Sequence, residues 1–264
     1  MIAAEILKLR RQRAALFWGF LFLPLFMTLL AFLLGGGLVK PPPDALVSEI
    51  RLFRSVVRTL SVAGNPIAQL FYAVGAAAIF AVEYRYSGWR HLVPRAPRER
   101  LLAAKFAAFA LFAALSLVLA VAGDLLVMLA MPFVQGLNPA IVETPPGAAT
   151  ILLLAFLVSF AELMALGGLV ALVAVTTRSA MGAILVPFLL SLGAAAAGAY
   201  FGEAVRTLPM PTYAAEALRH WLESGPSPAS DRAALIGLAT LLAWIAAGFG
   251  AAIALFRRQD LVSE

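Results

Sequence analysis

The sequence predicts an all-α integral membrane protein with six transmembrane helices. Of the 264 residues, 62% are hydrophobic and only 13% are charged, and the mean hydropathy is +0.94. An average soluble protein carries roughly 25% charged residues, so this composition excludes an ordinary soluble enzyme and a disordered chain. Six apolar stretches fit the roughly 20 residues that a helix needs to cross a hydrocarbon core of about 30 Å. No linker divides the chain, and we interpret 1–264 as a single transmembrane domain.

The six predicted spans follow one another along the whole chain. The first, at 14–39, is too long for a cleaved signal peptide and is expected to be retained. The second, at 66–82, is the shortest, with Asn65 as its N-cap and Pro66 at the first helical position. The other four lie at 106–131, 148–175, 180–201 and 233–256. Two spans contain a proline that should kink the helix or free a carbonyl group: Pro24 and Pro187.

The loops on the two sides differ in basic charge, which predicts their orientation. Thirteen Lys and Arg residues lie on the side of the two termini, and seven lie on the other side. Both termini are therefore expected in the cytoplasm, which agrees with the requirement of six spans that the two termini share a side. The net charge of +6 is explained by these loops and does not indicate a nucleic-acid partner.

Two segments on the outer side show the apolar periodicity of amphipathic helices. They are 45–60, before the second span, and 213–222, before the sixth. Both are expected to be interfacial helices. Two roles remain open for them, a surface helix that closes a loop and an outer gate or lid.

The sequence contains no recognised catalytic or metal-binding pattern. It has no Cys and only two His residues, and no zinc motif of the HExxH type or nucleophile motif of the GxSxG type. The dipeptide Gly-Lys does not occur, so a phosphate-binding P-loop is not expected. No cofactor or metal is expected on this chain.

A few polar and small residues inside the spans are candidates for a functional role. Glu162, near the middle of span four, could be a hydrogen-bonded packing residue or line a cavity. Asp124 is expected to be a wetted carboxylate near the outer interface. Gly193, Gly198 and Gly202 lie in a stretch of small residues in span five. They are candidates for a contact with a second subunit, with an ordinary contact inside the chain as the alternative.

The loop after span two carries the most specific pattern. It is short and strongly basic, and Ser87 can cap a turn that carries Trp89 and Leu92. Trp89 and Arg90 are expected to project from this turn as a contact for a cytoplasmic partner. Replacement of Trp89 should then barely change the stability of the isolated chain. A solvated basic loop is the alternative.

This loop resembles that of the permease subunits of type-2 ABC exporters, especially the branch associated with bacitracin export and lantibiotic immunity. The matching residues are Glu83, Tyr84, Arg85, Trp89, Arg90, Leu92, Arg95 and Lys105. Ser87-Gly88 departs from the Gly-Thr that the family prefers. The leader, 2–13, resembles the family's amphipathic elbow helix and contains Glu5, Lys8 and Arg11.

The resemblance implies a half-transporter without catalytic residues of its own. It would pair with a second copy of itself or a related permease in a bacterial or archaeal cytoplasmic membrane. Separate ATP-binding subunits would carry the ATP and Mg and would contact the elbow helix. They would also contact a coupling helix formed by Glu83, Arg85, Ser87, Trp89, Arg90 and Leu92. The expected cargo is amphipathic, such as a drug, a peptide antibiotic or a lipid-like molecule. The alternatives are a secondary transporter or channel and a membrane enzyme of unrecognised type.

Overall fold

The computed structural model describes residues 1–34, 52–85, 89, 93–135, 147–224 and 227–259. These residues are almost entirely helical, and none of them forms a strand. The first five helices are α1 (Ile2–Arg11), α2 (Arg13–Phe32), α3 (Leu52–Ser61), α4 (Pro66–Phe80) and α5 (Val82–Arg85). They are followed by α6 (Arg98–Gln135), α7 (Ala148–Thr177), α8 (Ala180–Phe201), α9 (Glu203–Arg206), α10 (Pro211–Ser224) and α11 (Pro228–Arg258).

Five helices of the described residues are long and apolar enough to cross a membrane: α2, α6, α7, α8 and α11. A sixth crossing is complete if the adjacent segments Ser55–Gly64 and Pro66–Phe80, which meet at an angle of 63°, form one broken span. The fold is therefore that of an all-α, multi-pass membrane protein. The predicted fifth span coincides with α8, and the third, fourth and sixth are parts of longer helices.

The structure corrects the predicted interfacial helix at 45–60 where it is described. In α3, Val56, Val57 and Leu60 are buried, and the helix packs against α6 and α7. Its apolar side is thus covered by other helices and not by lipid head groups, while 45–51 lie outside the described residues. The second predicted outer segment, 213–222, is a helix, α10, whose apolar side packs between α7 and α11.

Pro24 frees a carbonyl group inside α2, as predicted. Because proline has no N–H, the carbonyl of Phe20 loses its regular helical donor. The hydroxyl of Ser116 on α6 donates a hydrogen bond of 2.6 Å to that oxygen. Ser116 Oγ also lies 3.0 Å from the hydroxyl oxygen of Tyr72 on α4. An unsatisfied carbonyl is costly in hydrocarbon, so these hydrogen bonds hold α2, α4 and α6 together.

Polar backbone groups at the bend before α4 also find hydrogen-bond partners within the protein. The side chain of Asn65 accepts a hydrogen bond of 2.9 Å from the N–H of Ile67, which confirms it as the N-cap. On the other side of the bend, Ser159 of α7 donates to the carbonyl of Leu60 at 2.9 Å. The break in the helix therefore leaves its polar groups bonded within the protein.

Glycines allow two helix pairs to approach at backbone distance. A Cβ at Gly19 of α2 would lie 2.3 Å from Cα of Gly75 on α4. A Cβ at Gly248 of α11 would lie 2.8 Å from the carbonyl carbon of Gly168 on α7. Side chains at these points would separate the helices, so the bundle depends on small residues there.

We predict that Gly248→Ala destabilises the protein, because its methyl group collides with backbone that has no free rotamer to move. The expected loss is about 1–3 kcal/mol of unfolding free energy. Gly250→Ala on the same helix is the matched control, since a Cβ there meets no atom within 4 Å. Thermal unfolding in detergent measures both variants, and equal midpoints would contradict the close approach of α7 and α11.

Candidate functional site

One end of the bundle gathers both termini of the described chain. It is formed by α1, α5, Trp89, the first turns of α6 and the C-terminal end of α11, and we call it the terminal face. The basic loop between α5 and α6 starts and ends here. The contacts within the terminal face therefore determine how that loop is attached to the spans.

The centre of the terminal face is the buried ammonium group of Lys105. This side chain is 1% exposed. Its Nζ lies 2.5 Å from Glu83 Oε2, 3.0 Å from Glu5 Oε2 and 2.5 Å from the carbonyl oxygen of Ile79. The expectation that Lys105 is a cation of the basic loop is wrong. Lys105 is a buried connection among α1, α4, α5 and α6.

Lys8 completes this network from the surface. Its Nζ lies 2.6 Å from Glu5 Oε1 and 2.9 Å from Glu83 Oε1. Each carboxylate thus contacts both ammonium groups, and the four charges alternate in sign. Arg11, the third predicted residue of this helix, is exposed and lies at its end.

The network shifts the ionisation of the α1 residues. Burial alone would raise the pKa of Glu5, but the ammonium groups of Lys105 and Lys8 outweigh it and lower that pKa. Burial alone would lower the pKa of Lys8, but its hydrogen bonds to Glu5 and Glu83 raise it. Both groups are therefore held in their charged forms.

Trp89 is buried, against expectation. It is 3% exposed, with its ring centroid 4.5 Å from that of Phe256 and 5.6 Å from that of Tyr84. The Nζ of Lys105 lies 5.4 Å from the Trp89 centroid, in a cation–π arrangement. The expectation of a projecting Trp89 is wrong, because its ring fills a site between the Lys105 network and α11.

Arg98 also has a structural role. Its guanidinium donates three hydrogen bonds of 2.7–2.9 Å to carbonyl oxygens at the C-terminal end of α11, those of Phe256, Arg257 and Gln259. The Gln259 side chain accepts from the hydroxyl of Tyr84 and donates to the carbonyl of Val175. Arg98 and Gln259 therefore fasten the end of α11 to α5, α6 and α7.

The rest of the predicted coupling segment is only partly described. Glu83 lies in α5 at the core of the network. Arg85 is the last residue of α5, and its side chain is not described. Ser87, Arg90 and Leu92 lie outside the described residues. Their contact with a partner stays a prediction.

A second buried ion pair lies at the bend between α3 and α4. Glu162 of α7 is 1% exposed. It forms an ion pair with Arg219 of α10 and accepts a hydrogen bond of 3.2 Å from Gln69 of α4. Glu162 also borders a narrow cavity that includes Ser191. Glu162 is thus both hydrogen-bonded and beside a cavity, and nothing in the local sequence indicates Arg219 as its partner.

Asp124 is not a wetted carboxylate. It is 9% exposed, and its Oδ1 accepts a hydrogen bond of 2.9 Å from Ser55 of α3. The correction follows from the position of α3, which covers this part of α6. The sequence alone gives no signal that α3 covers Asp124.

The three glycines of span five have different surroundings. A Cβ at Gly198 would lie 3.4 Å from Tyr213 Cε1 of α10 in the same chain. A Cβ at Gly193 or Gly202 would meet no atom within 4 Å, and Gly202 ends α8 with a φ of +59°. Gly193 is therefore the position of the set that is both open and inside the helix, and its contact with a second subunit stays a prediction.

These features define a class of protein, an all-α multi-pass membrane protein whose buried charges join helices. A family model described as ABC-2 family transporter protein matches residues 1–194. The chain therefore belongs to the ABC-2 transporter family, as a membrane-spanning transport component that is not itself an enzyme. Comparisons with curated proteins and with solved structures gave no match.

We predict that Trp89→Ala destabilises the isolated protein by about 3–5 kcal/mol, the usual cost of emptying a buried aromatic site. Trp18→Ala is the control, because Trp18 is 47% exposed on the outside of α2. Thermal unfolding in detergent compares the two. An unchanged midpoint for Trp89→Ala would mean that the ring does not pack against Phe256.

The lowered pKa of Glu5 predicts acid-sensitive docking of α1. The contribution of ionised Glu5 to stability is complete above the pKa of Glu5 in the unfolded chain, near 4.5. It is lost as the pH falls through the lower pKa of Glu5 in the folded chain. The protection factors of the amides in 2–11, which are corrected for the intrinsic pH dependence of exchange, should therefore fall in acid. Glu5→Gln should weaken docking already at neutral pH and flatten this pH dependence. Glu203→Gln, on the exposed α9 turn, should behave like the parent chain.

Proposed function

We propose that this chain is the permease subunit of an ATP-driven exporter. It would form the pathway for an amphipathic substrate with a second copy of itself or a related permease. ATP and Mg would bind to a separate ATP-binding subunit. Membership of the ABC-2 family supports the permease role, and the observation that carries the coupling proposal is the buried Lys105 network.

The network supports coupling because it makes the base of the loop rigid. A movement of an ATPase against the loop is useful only if the loop transmits it to the spans. Glu83, Lys105 and Trp89 fix the described parts of this connection to α1, α4 and α11. Breaking a buried pair leaves an unpaired charge, which costs about 3–5 kcal/mol, so the unit resists local deformation.

Different residues would then hold the loop and contact the ATPase. Glu5, Lys8, Glu83 and Trp89 would position the segment from inside. The contact itself would come from Arg85, Ser87, Arg90 and Leu92, together with the exposed Arg11 of the elbow helix. This division replaces the expectation that Trp89 itself contacts the partner.

The terminal face would lie in the cytoplasm. Thirteen of the 20 Lys and Arg residues, the buried Lys105 among them, belong to this side of the predicted topology, as expected for a multi-pass protein of a bacterial or archaeal cytoplasmic membrane. The loop motif supports the bacitracin and lantibiotic-immunity branch, and with it an amphipathic drug, peptide antibiotic or lipid-like cargo. Span five would lie at the subunit contact, with Gly193 facing the second copy.

Copurification from native membranes tests the proposal directly. The chain should bring down a subunit with a phosphate-binding P-loop, and ATP hydrolysis by the complex should respond to an amphipathic substrate. Recovery of a folded chain with no ATP-binding subunit, in detergents that preserve membrane complexes, would count against the proposal.

A charge reversal on α1 tests the position of the contact. Arg11→Glu should weaken ATPase binding several-fold, on the order of 1 kcal/mol, because an exposed cation on the contacting helix is lost. Arg206→Glu is the matched control, since Arg206 lies on the α9 turn at the other end of the bundle. The thermal midpoint of Arg11→Glu should be unchanged, and that of Arg206→Glu should fall only slightly, because its ion pairs with Glu203 and Glu216 are solvent-exposed. If Arg11→Glu and the parent chain bound the ATPase with equal affinity, the contact would lie elsewhere.

A further inference from the structure

A large apolar groove lies at the other end of the bundle from the terminal face. It is bordered by α7, α10 and α11 and has a volume of about 480 Å³, within the range of roughly 300–1,000 Å³ typical of ligand sites. Its sides include Leu157, Ala161 and Leu238. Leu157 is 47% and Leu238 45% exposed, so the groove opens on the outer surface of the helices, where lipid lies.

The groove has the length of one lipid leaflet. On α11 its lining runs from Asp231 to Leu241, which is about 15 Å at the helical rise of 1.5 Å per residue. Half of a hydrocarbon core of about 30 Å has the same thickness. The deep wall belongs to a buried apolar cluster that includes Val158, Leu218 and Leu241. Such a wall offers van der Waals contact to a chain but no polar partner.

The single ionisable residue among those that line the groove lies at its end. Asp231, in the first turn of α11, accepts a hydrogen bond of 2.7 Å from the indole N–H of Trp221 through Oδ1. The residue is exposed, and its second carboxylate oxygen remains able to accept from a cation. Glu223 adds a further exposed carboxylate at the end of α10. Arg232, the next residue along α11, does not line the groove.

We propose that the groove binds one acyl chain of a phospholipid whose head group carries an ammonium, such as phosphatidylethanolamine. The chain would lie along Ala161 and Leu238, and the ammonium would pair with Asp231 beside Trp221. The lipid would come from the leaflet farther from the terminal face. This site depends on the chain being in a membrane and is independent of the proposed exporter function.

Native mass spectrometry of the purified protein tests the site, with dioleoyl phosphatidylethanolamine or dioleoyl phosphatidylglycerol titrated after delipidation. The parent chain should retain one phosphatidylethanolamine more tightly than any further lipid. Ala161→Phe and Leu238→Trp fill the groove and should weaken this binding at least about tenfold. Ala243→Phe is the control, because Ala243 is exposed on α11 and does not line the groove.

The head group is tested by Asp231→Asn. The parent chain should prefer phosphatidylethanolamine to phosphatidylglycerol, and the variant should lose that preference while still binding a lipid. Equal binding of phosphatidylethanolamine by the parent, the two filling variants and Ala243→Phe would indicate general surface lipid only and overturn the proposal. Equal binding of the two lipids by the parent chain would overturn the ammonium assignment.

Discussion

The buried ammonium of Lys105 is the constraint on which the terminal face depends. A lysine that is 1% exposed can stay charged only if carboxylates and carbonyl groups replace its water. Glu83 and Glu5 supply the carboxylates, and Ile79 supplies the carbonyl. Because these groups belong to three different helices and Lys105 belongs to a fourth, one charge fixes the relative positions of four helices.

Other parts of the terminal face follow from that arrangement. Trp89 covers the Lys105 site on one side and packs on Phe256 of α11 on the other. Arg98 then binds the carbonyl groups at the end of α11. The loop that we propose for coupling is therefore held from inside by its own subunit, which leaves its other residues for a partner.

The membrane interior imposes a related requirement on the backbone. Every irregular carbonyl must find a donor inside the protein, because hydrocarbon supplies none. Ser116 meets this need beside Pro24, and Ser159 meets it at the bend before α4. Glu162 and Arg219 lie at the same bend and attach α10 to it. The irregular backbone positions at Pro24 and at the bend before α4 are thus also positions where side chains of other helices bind.

The sequence by itself determined the helical membrane class, the approximate spans, the Asn65 cap and the family. Each is encoded locally, by runs of apolar residues, a cap before a proline, or a short motif. Only the tertiary structure decided that Lys105 and Trp89 are buried, that α3 packs inside the bundle, and that Glu162 pairs with Arg219. The charged partners are separated by 22 to 100 residues, and Trp89 is 167 residues from Phe256, on which it packs. Local charge and periodicity cannot indicate them, because a Lys in a basic loop has the same sequence pattern whether water or a distant carboxylate surrounds it.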